Sequence, residues 1–268
     1  MKIRVYAVTV NSTSPAIQLP RLCTPDLIVV AIQGLNDAPA DAVEAMVAVL
    51  KSKSTLYEEV TRAVLANMAT IVFIRTKLRN QSAIAQLCMN TIPPTSKCTT
   101  FIITRFCIQE PESDHWSGSY STSCCFVNVQ LAAQPSDIKV RANQLEQLLN
   151  QLKSCKSDVM VVLGKFNFAL HNTTAYDSSQ LAIAKMYAEL LAQHDELVLH
   201  DEFDRLFKEC ALNVPPILPP AQSGCCVPSS PALPGWADRI FFSKNLIIQG
   251  YFHDTPNQLA CVARYETS

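Results

Sequence analysis

The feature that most restricts this chain's fold is the run Val159-Met160-Val161-Val162-Leu163, which ends abruptly at Gly164. Except for Met160 and Leu163 the run is β-branched, which predicts a strand buried on both faces. Gly164 marks the point where the backbone must turn sharply. Residues just past the carboxyl end of such a strand are where α/β proteins place their chemistry. Here those residues are Lys165, Phe166 and Asn167.

Similar signals recur along the chain. Residues 2–10 alternate apolar and polar and predict a first strand; Pro25 to Gly34 predicts a second, buried one. Asp41 to Lys51 sets Val43, Met46, Val47 and Leu50 on one helical face. Thr55-x-x-Glu58 reads as a capping box that opens a second helix through about Ala66. Strands follow at 68–75, near 84–92 and at 98–108, then a polar hairpin loop over 109–123 and a strand over 124–133. Ser136 or Asp137 caps a long helix with Ile138, Leu145, Leu148, Leu149 and Leu152 on one face. Further helices are expected near 178–193 (Leu181, Ala184, Tyr187, Leu190, Leu191) and 196–210, and final strands at 246–252 and 259–265. Seven prolines between 213 and 235 exclude regular structure there.

With 268 residues, 49% of them hydrophobic, the chain can bury a full core. A net charge of −1 gives no global field to gather nucleic acid or an acidic membrane. Met1 to Val5 alternates like a strand rather than a signal peptide, and no apolar run approaches the ~20 residues of a spanning helix. A cytoplasmic protein is the expectation. Eleven cysteines include no C-x-x-C pair, and five sit in or beside apolar, strand-like runs, which reads as free buried thiols in a reducing compartment.

Gly164-Lys165-Phe166-Asn167-Phe168-Ala169-Leu170 resembles the Gly-Asp-x-Asn-Tyr-Arg-Leu signature of the inositol polyphosphate 5-phosphatases, within the endonuclease/exonuclease/phosphatase superfamily. Thr9-Val10-Asn11 is similar to the Thr-Trp-Asn that closes their first strand. Phe126-Val127-Asn128-Val129-Gln130-Leu131-Ala132-Ala133 is similar to their Phe-Val-Asn-x-His-Leu-Ala-Ala, and Pro234-Gly235-Trp236-Ala237-Asp238-Arg239-Ile240 to their Pro-x-Trp-Cys-Asp-Arg-Ile. The resemblance spans Ile3 to Tyr265 and implies one domain over residues 1–268. The fold it implies is a four-layer α/β/β/α sandwich of two mixed sheets.

Against that pattern the catalytic positions are altered. Gly34 stands where the resemblance implies the Glu that holds Mg²⁺, Lys165 where it implies an Asp, and Gln130 where it implies a phosphate-contacting His. Pro256-Asn257-Gln258 stands where the resemblance implies Ser-Asp-His, so Gln258 stands for the base and Asn257 for its orienting carboxylate. Amides do not titrate near neutrality and cannot act as general bases. Three carboxylates lost and one lysine gained shift the formal charge by about +4. At ~5 Å and an effective dielectric of ~20, one like-charge pair opposes a cation by on the order of 3 kcal/mol.

No catalytic residue is therefore expected intact, and no metal ligand or cofactor, although active relatives use Mg²⁺. Asn11 and Asn167 survive, either as site residues or as turn-satisfying asparagines. Asp238 and Arg239 survive as binding groups or as a structural ion pair beside Trp236. Lys97 and Lys165 complete the candidate binding set, Lys97 having a solvated strand end as its alternative. Relocated ligands would have to come from Asn36 or Asp37, with Asp254 or His253 as base.

The expected function is a degenerate, catalytically inactive 5-phosphatase-like protein serving as a binding or scaffold module. Inositol phosphates or phosphoinositide headgroups, the latter at a membrane periphery, and an unidentified protein are its implied partners. A Mg²⁺-dependent phosphatase with relocated ligands and a pure protein-interaction domain are the alternatives.

Overall fold

The apolar runs pair into two sheets of six strands each. The structure, a computed structural model, describes residues 2–11, 24–35, 39–53, 55–65, 67–92, 100–109, 121–133, 137–168, 195–209, 237–255 and 258–266. In chain order these form β1 (Lys2–Asn11), β2 (Leu27–Gln33), α1 (Pro39–Lys53), β3 (Tyr57–Leu65), β4 (Met68–Arg75), α2 (Thr76–Gln81), β5 (Ala83–Ile92), β6 (Thr100–Gln109), β7 (Ser121–Gln130), α3 (Ile138–Lys153) and β8 (Val159–Lys165). A 3₁₀ turn (Glu196–Leu199), α4 (Asp201–Leu206), β9 (Phe207–Glu209), β10 (Asp238–Ser243), β11 (Ile247–Thr255) and β12 (Gln258–Glu266) follow.

Sheet A runs β11-β12-β1-β2-β4-β3 and sheet B runs β5-β6-β7-β8-β10-β9. Each is mixed, with one parallel pair: β1 with β2, and β7 with β8. The strands alternate faces, and this period divides the core into three layers. Ile3, Val5 and Ala7 of β1 meet Phe126 of β7 and Val161 and Leu163 of β8 between the sheets. Tyr6 and Val8 point the other way, against Val43, Met46, Val47 and Leu50 of α1. On the outer face of sheet B, Leu145, Leu148, Leu149 and Leu152 of α3 cover Val127 and Val162. The order of layers is helix, sheet, sheet, helix, the sandwich implied by the sequence. β1 and β12 lie side by side from Lys2 opposite Glu266 to Val10 opposite Gln258.

Three local expectations are corrected. The stretch from Tyr57 to Leu65 is the edge strand β3, not the helix opened by Thr55-x-x-Glu58. Val60, Thr61 and Val64 are β-branched, and β4 begins three residues on, so pairing with β4 outweighs the local capping pattern. The helix expected over 196–210 is a 3₁₀ turn, one short helix and a strand. Phe207 is buried there and β9 pairs with β10, which pulls the chain out of helical conformation. Asp137 occupies the N-cap of α3 but makes no side-chain capping bond. The strand β10 was not anticipated. The helix expected at 178–193, the proline-rich stretch over 213–235 and the loop over 110–120 lie outside the described residues.

Candidate functional site

Both parallel pairs end at the same end of the sandwich. A buried polar bridge fixes this: Thr9 Oγ1 donates to Gln33 Oε1 (2.9 Å), and Gln33 Nε2 donates to Asn128 Oδ1 (2.8 Å), crossing from sheet A to sheet B. Asn128 Nδ2 in turn donates to the Ala69 carbonyl (2.8 Å). All three side chains are essentially inaccessible, so each bond made here offsets a large desolvation penalty. Sequence reasoning passed over this bridge, although Gln33 and Asn128 were visible as polar residues inside apolar runs.

One step beyond the bridge, the register sets three polar residues in a row. Gln130 lies opposite Lys165, and Lys165 opposite Asp238. Registered neighbours share a face, and this one continues the inter-sheet face of Leu163 and Ile240. Asp238 Oδ1 and Gln130 Oε1 are buried and have no hydrogen-bond partner among the described residues. Burial raises the Asp238 pKa to about 6, against the pull of the Lys165 charge. Among the described residues no hydrogen bond or ion pair engages the Lys165 ammonium.

The backbone beneath this row is tightly constrained. Gly164 has φ +132°, and a Cβ there would stand 2.3 Å from the Val129 carbonyl oxygen. Only glycine lets β8 approach β7 this closely. Asn167 takes the left-handed conformation (φ 54°), donates through Nδ2 to the Leu131 carbonyl (2.8 Å), and its N–H meets the Ala237 carbonyl (3.2 Å). Of its two readings, the turn-satisfying one describes its contacts.

Asp238 and Arg239 do not pair with each other. Successive residues of a strand point to opposite faces, so Arg239 turns away from the row. It is 1% exposed, donates through Nη1 to Asp195 (2.9 Å) and through Nε to Glu209 (2.6 Å), and its guanidinium sits 5.6 and 5.4 Å from the Phe168 and Phe241 ring centres. Arg239 is an internal brace rather than a ligand-facing cation. Its partners carried no sequence signal: Glu209 falls in the stretch read as a helix over 196–210, and Asp195 in the gap just before it. A second buried pair, Arg141 with Glu196 (2.7 Å), fixes the 3₁₀ turn beneath α3.

Gly34, in the position of the implied metal ligand, has φ +71° and carries no side chain. Asn11 ends β1 opposite Gln33, and Gln258 opens β12 opposite Val10; their side chains lie outside the description. So do Asn36, Asp37, Lys97 and Asn257, and the side chains of His253 and Asp254. Mg²⁺ takes hard oxygen ligands including one or two carboxylates. Asp238 is the single carboxylate of the row and adjoins an ammonium, and among the described residues no group of three His, Cys, Asp or Glu could hold a metal ion. The described residues do not fit the ion.

The sequence model of Endonuclease/Exonuclease/phosphatase family 2 matches residues 10–261. The chain belongs to this family. Among solved structures it is similar to the inositol polyphosphate 5-phosphatase domain of SpSynaptojanin, in complex with inositol (1,4)-bisphosphate and calcium ion. That likeness has a TM-score of 0.75 at 17% identity and covers 99% of this chain and 84% of that one. It is also similar to Cimex nitrophorin in its ferrous NO complex, with a TM-score of 0.67 at 18% identity and 98% of each chain covered. A third likeness is to an endonuclease/exonuclease/phosphatase family protein from Bacteroides thetaiotaomicron (TM-score 0.53, 8% identity, both chains covered completely). At these identities the likeness is one of fold. No curated protein matches the sequence.

Proposed function

We propose that this family member is a non-hydrolytic binding module for inositol phosphates or phosphoinositide headgroups. The observation that carries the reading is the row Gln130–Lys165–Asp238, with an ammonium that makes no hydrogen bond or ion pair among the described residues, at the position where the resemblance implies a catalytic carboxylate. A cation at that position suits phosphate oxygens and opposes a divalent metal, charge-assisted hydrogen bonds being about twice as strong as neutral ones. Asp238 supports the same assignment when protonated, since its raised pKa lets it turn from acceptor to donor beside a bound anion. The inositol (1,4)-bisphosphate held by the SpSynaptojanin domain gives the ligand class to try first. The nitrophorin's ferrous NO complex on a similar fold cautions against reading chemistry from fold alone.

Two measurements test the reading together. Isothermal calorimetry of inositol (1,4)-bisphosphate in EDTA should show binding by the wild type and at least tenfold weaker binding by Lys165→Ala. Phosphate release in Mg²⁺ or Mn²⁺ should stay at the no-enzyme baseline; turnover in the usual ~1–10³ s⁻¹ range would overturn the non-hydrolytic half. Absence of binding heat, or equal affinity in the variant, would overturn the binding half.

A further inference from the structure

The end of sheet A remote from the candidate site carries a charge that the chain as a whole does not. β1 and β2 begin there and β4 and β12 finish there, so their terminal residues lie side by side. Arg4 is registered opposite Arg264. It alternates with Ile3 and Val5 of the inter-sheet layer and so turns to the outer face of sheet A. On its other side stands Asp26, whose N–H donates to the Arg4 carbonyl (2.8 Å) and whose carbonyl accepts from the Arg75 N–H (2.9 Å). The buried Asp26 carboxylate accepts the Arg4 N–H (2.9 Å) and pairs with the Arg75 guanidinium. One carboxylate thus sits among three arginines, and Arg4 and Arg264 keep 40% and 34% of their side chains exposed.

Further cations adjoin this row. Lys2 lies two residues before Arg4 on the same face and shares Glu266 with Arg264 (3.2 and 3.0 Å). In α2, Leu78 packs against the inter-sheet core and leaves Lys77 and Arg79 exposed. α1 runs from the candidate-site end to this one and brings Lys51, paired with Glu59 (3.6 Å). Seven cations therefore meet four carboxylates, Asp26, Glu58, Glu59 and Glu266, in a chain whose net charge is −1. Two large aliphatic side chains are exposed at the same end. Leu56 (57%) precedes the edge strand β3, and Ile247 (47%) opens the opposite edge strand β11, registered against Arg264. Five strand spacings separate those edges, on the order of 24 Å, with the arginine row between them.

We propose that this end of sheet A docks reversibly on an anionic phospholipid surface. Such a surface presents spread negative charge with an apolar layer beneath it. The cation surplus complements the first, and the two exposed aliphatics, one at each edge, complement the second. A soluble polyanion would use the cations and leave Leu56 and Ile247 without a role. The absence of a global field is no obstacle, because attraction to a charged surface acts within about a Debye length, ~8–10 Å, and is decided by the face that approaches. The surface is independent of the binding proposed for the candidate site, which lies at the other end of the strands.

Co-sedimentation of the full chain with phosphatidylcholine vesicles, with and without about a third phosphatidylserine and with no phosphoinositide, tests this. The expected result is binding to the anionic vesicles alone at low salt, lost in about 0.5 M salt, where screening is strong. Arg79→Glu should weaken it at least about fivefold, the effect of one cation at such a surface. Lys139→Glu, the same charge change on α3 in the other helical layer, should alter it less than about twofold. Both side chains are exposed, so neither change disturbs packing. Leu56→Ser and Ile247→Ser keep every cation and should each weaken vesicle binding severalfold while leaving retention on heparin unchanged. No binding to the anionic vesicles, equal binding with and without phosphatidylserine, or a Lys139→Glu loss equal to that of Arg79→Glu would overturn the proposal. Unchanged vesicle binding in both serine variants, with heparin competing fully, would assign the surface to a soluble polyanion and overturn it as well.

Discussion

Replacing Asp238 by Asn removes a charge from a position that disfavours it. The Asp238 carboxyl has a folded pKa of about 6 against an ordinary 3.8, and burial is the main cause. About two pKa units correspond to about 3 kcal/mol, at ~1.36 kcal/mol per unit. The residue is only partly buried, so solvent screening reduces this to roughly 1–2 kcal/mol. Because the folded pKa lies above the unfolded one, the folded state holds the proton more tightly. The penalty is therefore absent below the unfolded value, grows between about pH 4 and 6, and is complete above. Asn keeps the shape and carries no charge. Urea unfolding of wild type and Asp238→Asn should give nearly equal stabilities at pH 4 and a variant more stable by about 1–2 kcal/mol at pH 8. Other titrating groups contribute alike to both proteins and cancel in the difference. A gap independent of pH, or a variant less stable than wild type at pH 8, would refute the reasoning. A gap of the expected sign would show a carboxylate retained at a stability cost, as functional positions often are.

Gly164→Ala combines backbone strain with a collision against the Val129 carbonyl. About 1–3 kcal/mol for the conformation and a similar amount for overpacking should lower the urea midpoint with an unchanged slope. Arg239→Met leaves Asp195 and Glu209 buried without their cation, a loss of about 3–5 kcal/mol. Burial already raises the Glu209 pKa, so the deficit in thermal melts should be larger at pH 8 than at pH 5.5, where the carboxyl can accept a proton. Asn128→Ala strands the Gln33 amide and the Ala69 carbonyl between the sheets; equilibrium unfolding should show a loss of about 2–4 kcal/mol.

Most strands were legible because they are long apolar runs whose period is hard to mistake, while their layering came from the family resemblance. The run at 159–163 and the faces of α1 and α3 were read from residues that the structure buries. Elements decided by distant partners were not legible. β3 carries a helix-opening pattern and becomes a strand because β4 lies beside it. β9 is three residues long and leaves a helical stretch to pair with β10. The candidate site divides the same way. Lys165 and Gln130 were found by comparison with a motif, and the register brings them side by side. The true partners of Arg239 were hidden because they come from 30 and 44 residues away in sequence. Adjacency in sequence suggested Asp238 instead, and strand alternation forbids that contact.

The pairing of β1 with β12 has a consequence for synthesis. β1 leaves the ribosome well before β12, the partner for one of its edges, which lies about 250 residues later. At ~5–20 residues per second, that edge waits on the order of 10–50 s with its amide and carbonyl groups unpaired. β2 can cover the other edge early, because it follows within a few tens of residues. The nascent half-sheet is thus open on one side until β12 emerges, and an edge of that kind readily accepts a foreign strand. Slow decoding after β2, or a chaperone released late, would lengthen or protect the same interval. The yield of folded protein in a cell-free system should then depend on elongation rate and on chaperones more than its equilibrium stability suggests.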